Sequence, residues 1–242
     1  MLYLIGLGLN TDGISKYGLE VAKRCKVLYR ENYTVEFPYE KKEIEHFIRK
    51  KIVDIGREKV EDLSLIDEAQ KKDVGLLVYG SPLFATTHIS LIQECKASGV
   101  KYKVIYAASV FDAVAETGLQ LYKFGKTASM PAWDEEKNFT PDSFLDLVEA
   151  NKSIDAHTLL LVDIGLGYFN AMEQLEKSVE AKGTKLGKIV VCSRMGTEKS
   201  KIAFDTISNL KRARVKEPFC FIIPGKLHFV EEEMLGTFRR VR

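Results

Sequence analysis

The chain has 242 residues, 45% hydrophobic and 29% charged, enough to bury a substantial core as one large or two small domains. Thirty-six basic side chains against 34 acidic ones leave a net charge of only +2, which argues against direct binding to nucleic acid or an anionic membrane surface. Cys25, Cys95, Cys192 and Cys220 form no CxxC pair and have no histidine at ligand spacing. They indicate neither a metal site nor a disulfide framework and read as reduced core thiols.

The first apolar run, Leu2 to Leu7, reads as a strand. It turns polar at Asn10 and lacks a basic leader, so it is too short for a signal peptide or a membrane span, and a cytoplasmic protein is expected. A helix carrying Gly18 to Arg24 follows, then a second strand, Lys26 to Tyr29, ending on Arg30-Glu31-Asn32. Over residues 40–61, Ile44, Phe47, Ile48, Ile52 and Val53 mark one face of a helix, and His46 lies on its solvated, charged side. Val74 to Tyr79 is apolar almost throughout, as a strand covered on both faces should be. It stops at Gly80-Ser81-Pro82; Thr86 and Thr87 are expected to start the next helix, with His88 structural. A fourth strand, Lys103 to Ala107, meets Ala108-Ser109 and a helical stretch over 110–122.

Strands at His157 to Asp163, Lys188 to Cys192 and Phe219 to Ile223 belong to a second sheet, the last stopping at Pro224-Gly225-Lys226 before a helical segment over 227–235. The three terminal arginines, Arg239, Arg240 and Arg242, read as a solvated end. This alternation is that of an α/β protein, divided into an N-terminal α/β domain, 1–108, and a C-terminal one, 109–242.

Ligands of parallel α/β sheets collect beyond the carboxyl ends of the strands. Gly6-Leu7-Gly8, Gly80-Ser81-Pro82, Ala108-Ser109 and Pro224-Gly225-Lys226 all follow strands and are small, which would let a ligand approach the main chain. The Gly6-x-Gly8 start is not a dinucleotide fingerprint: Thr11 stands where the third glycine belongs, Leu9 is bulky, and Glu31 is the only acid near the ribose position. Nor is there a Walker loop, because Gln120 occupies the place five residues before Gly125. An adenosyl group bearing a sulfonium suits these corners better, since it needs apolar walls and backbone acceptors but no anion nest; Leu9, Phe84, Val110 and Val162 fit such walls.

The ordered strings LYLIGLGLN, YGSPLFATTH, TGLQLYKFGKTAS, HTLLLVDI and IPGKLHFVEEE, spanning residue 1 to about 235, resemble the diphthine synthases, methyltransferases of the diphthamide pathway in archaea and eukaryotes. The resemblance implies a two-domain, tetrapyrrole-methylase-like (class III) methyltransferase fold with S-adenosyl-L-methionine in the cleft between domains, in a homodimer. It implies translation elongation factor 2 as the protein substrate, methylated repeatedly on the amino group of a 3-amino-3-carboxypropyl-histidine. Carried over one position at a time, the cofactor-binding residues are Leu9, Ser81, Phe84, Ser109, Val110, Val162, Met195 and His228. Lys126 and Lys226 are candidates to meet the substrate carboxylate, and His228 is a candidate to assist the amine. No metal is called for.

One departure stands out: the family pattern has Asp where this chain has Ser81, so a full counter-charge is replaced by a hydroxyl and weaker cofactor binding is expected. Transfer from a sulfonium to an amine is an in-line displacement in which alignment can supply about 7–11 kcal/mol. The nitrogen must be unprotonated, which a partly dehydrated site favours. A small-molecule methylase of the tetrapyrrole type and a non-catalytic cofactor-binding homologue are the alternative readings.

Overall fold

The computed structural model describes residues 1–238; the terminal arginines lie outside them. The chain forms two compact units, the first Met1–Ala113 and the second starting at Val114.

The first unit contains β1 (Leu2–Gly6), α1 (Lys16–Arg24), β2 (Val27–Glu31), α2 (Lys41–Ile48), β3 (Val53–Ile55), α3 (Arg57–Glu61), α4 (Ser64–Lys71), β4 (Val74–Val78), α5 (Ile89–Ala97), β5 (Tyr102–Ile105) and α6 (Val110–Ala113). Its five strands are all parallel, in the order β3-β2-β4-β1-β5. Strand periodicity divides the core. Leu2, Leu4, Val74, Leu76 and Val78 pack with Leu65, Ile66 and Ala69 of α4 and Leu91 and Cys95 of α5. Tyr3, Ile5, Leu28, Leu77 and Ile105 pack with Val21 and Ala22 of α1 and Ile44 and Ile48 of α2. Helix α1 starts where the Ser15 hydroxyl accepts the Gly18 N–H at 3.0 Å and ends with Lys23 and Arg24 near its free carbonyls.

The second unit contains β6 (Ala128–Met130), α7 (Phe144–Lys152), β7 (Thr158–Val162), α8 (Tyr168–Lys182), β8 (Ile189–Ser193), β9 (Lys201–Asp205), α9 (Ile207–Leu210), β10 (Phe219–Ile223) and α10 (Phe229–Thr237). Its sheet runs β6-β7-β10-β8-β9, parallel between β6 and β7 and antiparallel elsewhere. Phe144, Leu145, Val148, Met172 and Leu175 pack its core against Leu160, Val191 and Phe221.

Several sequence expectations are corrected. The single helix over 40–61 is instead α2, β3 and α3: Arg49 adopts a left-handed φ of 60° at the end of α2, and Val53–Ile55 pairs with the free edge of β2. Edge pairing overrides the helical spacing there, leaving Phe47 and Val53 exposed. The helix after Gly80 starts at Ile89 rather than at Thr86. The 110–122 helix is broken because the Thr117 hydroxyl donates to Val114 O at 2.6 Å and accepts Leu119 N–H at 3.2 Å, and Gly118 follows at φ +81°. Strands β3, β6 and β9 were not anticipated.

All four cysteines are free and buried. Cys192 and Cys220 are direct cross-strand neighbours. Among the described residues no helix is long and apolar enough to cross a membrane, and no His, Cys, Asp and Glu cluster could hold a metal ion.

Candidate active site

In the first unit β4, β1 and β5 are consecutive neighbours, so the three corners after them converge at one edge of the sheet. The first two are tied directly: Gly8 N–H donates to Gly80 O at 3.1 Å and Gly80 N–H to Gly8 O at 2.9 Å. The Tyr79 hydroxyl donates to Leu9 O at 3.3 Å. A Cβ on Gly6 would lie 2.7 Å from Gly80 O and 2.9 Å from Pro82 Cδ. The packing of the corners on one another therefore already requires glycine at position 6. Gly80 has a different need, its φ of +68°, where a side chain would be strained.

Five of the expected site residues gather at this edge. Leu9, Ser81 and Ser109 are buried, Val110 is half-buried, and the exposed Phe84 ring lies 5.1 Å from that of Phe111. Their hydroxyls differ. Ser109 is engaged: its N–H and Oγ–H both donate to Asp112 Oδ2, at 2.7 and 3.1 Å, and its Oγ accepts the Phe111 N–H at 3.2 Å. The Ser81 Oγ, buried in the same edge, has no hydrogen-bond partner among the described residues. A buried hydroxyl left without a partner is costly, and a polar ligand group at this corner would satisfy it.

Glu31 is engaged by groups of the chain itself. Fully buried, it accepts N–H groups of Tyr33 at 3.3 Å and Thr34 at 3.1 Å, the Thr34 hydroxyl, and the Tyr79 N–H just before the second corner. Burial raises its pKa while these donors lower it, the net shift being upward. His88 is structural, as expected: it is buried with Nε2 3.3 Å from the Tyr33 hydroxyl, and burial pushes its pKa down to about 4. His46 is exposed, also as expected.

The expected residues of the second unit do not gather at one point. Because β10 runs antiparallel to β7 and β8, Val162 and Met195 lie at one end of this sheet, while Pro224-Gly225-Lys226 and His228 leave the other. The expectation that all four corners follow parallel strands thus fails for this one. Val162 is half-buried, Met195 buried and His228 exposed. Lys226 is exposed and pairs loosely with Asp155 at 3.8 Å. Lys126 is exposed too, and its main chain is held at both ends by Asn151, which accepts its N–H at 3.0 Å and donates to its carbonyl at 2.8 Å.

Residues 1–211 match the family described as Tetrapyrrole (Corrin/Porphyrin) Methylases. The chain belongs to this family. It is 38% identical to the diphthine synthase of Methanocaldococcus jannaschii over 97% of each chain. It is 36% identical to the diphthine methyl ester synthase of Mus musculus over 98% of this chain and 96% of that one. A solved diphthine synthase superposes with a TM-score of 0.89 at 34% identity, covering 98% of this chain and 95% of its own. The resemblance and the fold class read from the sequence are thereby borne out. As a methylase of this family the chain is a methyltransferase and needs a methyl donor.

Sequence reasoning missed the groups that hold this methylase's corners. Asp112 stands three residues after Ser109 and caps it, a spacing that could have been read as a cap. Tyr79 leaves no such signal, because the Leu9 carbonyl it meets is 70 positions away, whereas Glu31 is held largely by its own neighbours Tyr33 and Thr34.

Proposed function

We propose that this methylase is a diphthine synthase that uses S-adenosyl-L-methionine to methylate, repeatedly, the amino group of the 3-amino-3-carboxypropyl-histidine of elongation factor 2, acting in the cytoplasm as a homodimer. The observation that carries this reading is the convergence of Leu9, Ser81, Phe84, Ser109 and Val110 at one sheet edge, with one buried hydroxyl left for a ligand. Similarity over 97–98% of the chain to relatives named diphthine synthase and diphthine methyl ester synthase supports a place in the same methylation chemistry.

The residues present fit the donor. Leu9 and Val110 offer apolar surface, Phe84 an exposed ring face, and Ser81 a hydroxyl able to donate or accept one hydrogen bond. Val162, Met195 and His228 are proposed as further cofactor contacts. When bound, S-adenosyl-L-methionine supplies a methyl group on an electrophilic sulfonium. The chain's own part is alignment and exclusion of water. Asp112 fixes the third corner, the Gly8 and Gly80 exchange fixes the first to the second, and Lys126 and Lys226 supply cations for the substrate carboxylate. An apolar, partly dehydrated edge also favours a neutral amine over its ammonium, so no dedicated base is required.

The test is to incubate the protein with methyl-labelled S-adenosyl-L-methionine and elongation factor 2 carrying the carboxypropyl-histidine. Labelled factor is expected. Label on a porphyrinogen but not on the factor would mark a small-molecule methylase, and cofactor binding without transfer a non-catalytic homologue.

A further inference from the structure

Two stretches of the sequence, 117–127 and 223–233, meet around a carboxylate that the reading above leaves unused. Glu231, in the first turn of α10, is fully buried. Its Oε1 accepts the Gln120 N–H at 3.0 Å and lies 3.1 Å from His157 Nε2. Its Oε2 accepts the His228 N–H at 2.7 Å and pairs with the Lys123 ammonium. Lys123 also donates to Lys226 O at 2.8 Å, and His157 Nδ1 accepts the Gly225 N–H at 3.0 Å.

The backbone fixes the protonation of this cluster. With an N–H directed at Nδ1, that nitrogen carries no proton, and Nε2 holds the one donated to Glu231. Burial would raise the Glu231 carboxyl, but the His228 N–H, the Lys123 ammonium, the Gln120 N–H and the His157 ring outweigh it and hold the pKa at about 2. Burial lowers the pKa of His157, which faces Glu231, Lys123 and the edge of the Phe124 ring. The cluster is thus a carboxylate, an ammonium and a neutral imidazole, with its charges paired as burial requires.

We propose that Glu231, together with His157 and Lys123, is the positioning group that sets the Gly225–His228 segment for methyl transfer; this rests on the methyltransferase reading in which Lys226 and His228 meet substrate or cofactor. Of that segment's main chain, Gly225 N–H is held by His157, Lys226 O by Lys123 and His228 N–H by Glu231. Gly225 also lies flat on the turn that leads into β7, since a Cβ there would meet Ala156 O at 2.4 Å. Three of the segment's main-chain groups are thus set by the cluster. Glu231 itself is not assigned a contact with any reacting group.

The test is Glu231→Gln, whose amide cannot accept from all these donors at once. Amide exchange at Gln120, Gly225 and His228 is expected to accelerate about tenfold or more, while that of Leu160 and Ile222 in the sheet stays unchanged. The His157 ring nitrogens, observed by NMR, should report an Nε2–H tautomer in the native protein and a mixture in the variant. The kcat/KM for labelled transfer is expected to fall at least about tenfold. If E231Q fails to fold, Lys123→Met serves in its place, with exchange at Lys226 and Leu227 added. Unchanged exchange at Gly225 and His228, or unaltered kinetics alongside a lowered Tm, would overturn the proposal in favour of a purely stabilising cluster. A native protein that transfers no methyl group at all would overturn the methyltransferase reading, while the exchange and NMR results would still decide whether the clamp exists.

Discussion

Asp112 Oδ2 accepts the Ser109 backbone N–H at 2.7 Å and the Ser109 hydroxyl at 3.1 Å, so one carboxylate shapes the corner after β5. Asp112→Ala releases both donors. It is expected to cost roughly 1 kcal/mol of stability, the net value of such hydrogen bonds on a partly solvated turn. S-adenosyl-L-methionine should bind several-fold more weakly. Calorimetric titration beside thermal unfolding separates the two effects.

Ser81→Asp tests the departure from the family pattern. In the ligand-free protein it places a carboxylate where the Ser81 hydroxyl is already buried without a partner among the described residues, so the free protein should lose stability. With cofactor the same carboxylate becomes a counter-charge, and affinity should rise by an amount on the order of 1–3 kcal/mol. A lower Tm without ligand and a larger Tm increase on adding it is the signature to look for.

Gly6 and Gly80 are small for different reasons, and alanine at each should show it. At Gly80 a Cβ would meet Ser109 Cα at an ordinary 3.6 Å, so Gly80→Ala carries only the strain of a left-handed φ, about 1–2 kcal/mol. At Gly6 the same atom would meet the Gly80 carbonyl oxygen at 2.7 Å. That oxygen is main chain and the next contact, Pro82 Cδ at 2.9 Å, belongs to a rigid ring, so Gly6→Ala must push the second corner away and should exceed that cost, with cofactor binding impaired as well. Urea unfolding midpoints of the two variants rank them.

His88 should make stability depend on pH. Its pKa falls from an ordinary 6.5 to about 4 on folding, so the unfolded chain takes up the proton first as pH drops. Stability is therefore complete above about 6.5 and declines as pH falls toward 4, by on the order of 3 kcal/mol. His157 shifts in the same direction, so the useful comparison is with His88→Gln, whose stability should fall less between pH 7 and pH 4.5. Equal slopes for the two proteins would count against this account.

The parts of the fold that announce themselves in the sequence are those governed by local pattern. Val74–Val78 is apolar at every position except Gly75 because helices cover both faces of β4, and the chain break at Gly80 is visible because a left-handed corner demands glycine. The edge strand Val53–Ile55 is hidden inside helical spacing, since only the vacant edge of β2 makes it a strand. The direction of β10 is equally invisible, as nothing in FCFII says which way its neighbours run. Leu9, Ser81 and Ser109 could be named from their corners, whereas for Glu231 only the three-residue spacing from His228 is local: its other partners, at 120, 123 and 157, lie up to 111 positions away.

The reciprocal bonds between Gly8 and Gly80 continue the pairing of β1 and β4 one step beyond the sheet, in antiparallel fashion. Two loops that would otherwise fluctuate separately are stitched into a single stiff rim. A molecule docking there finds its seat already assembled, so little of its affinity is lost to ordering the main chain.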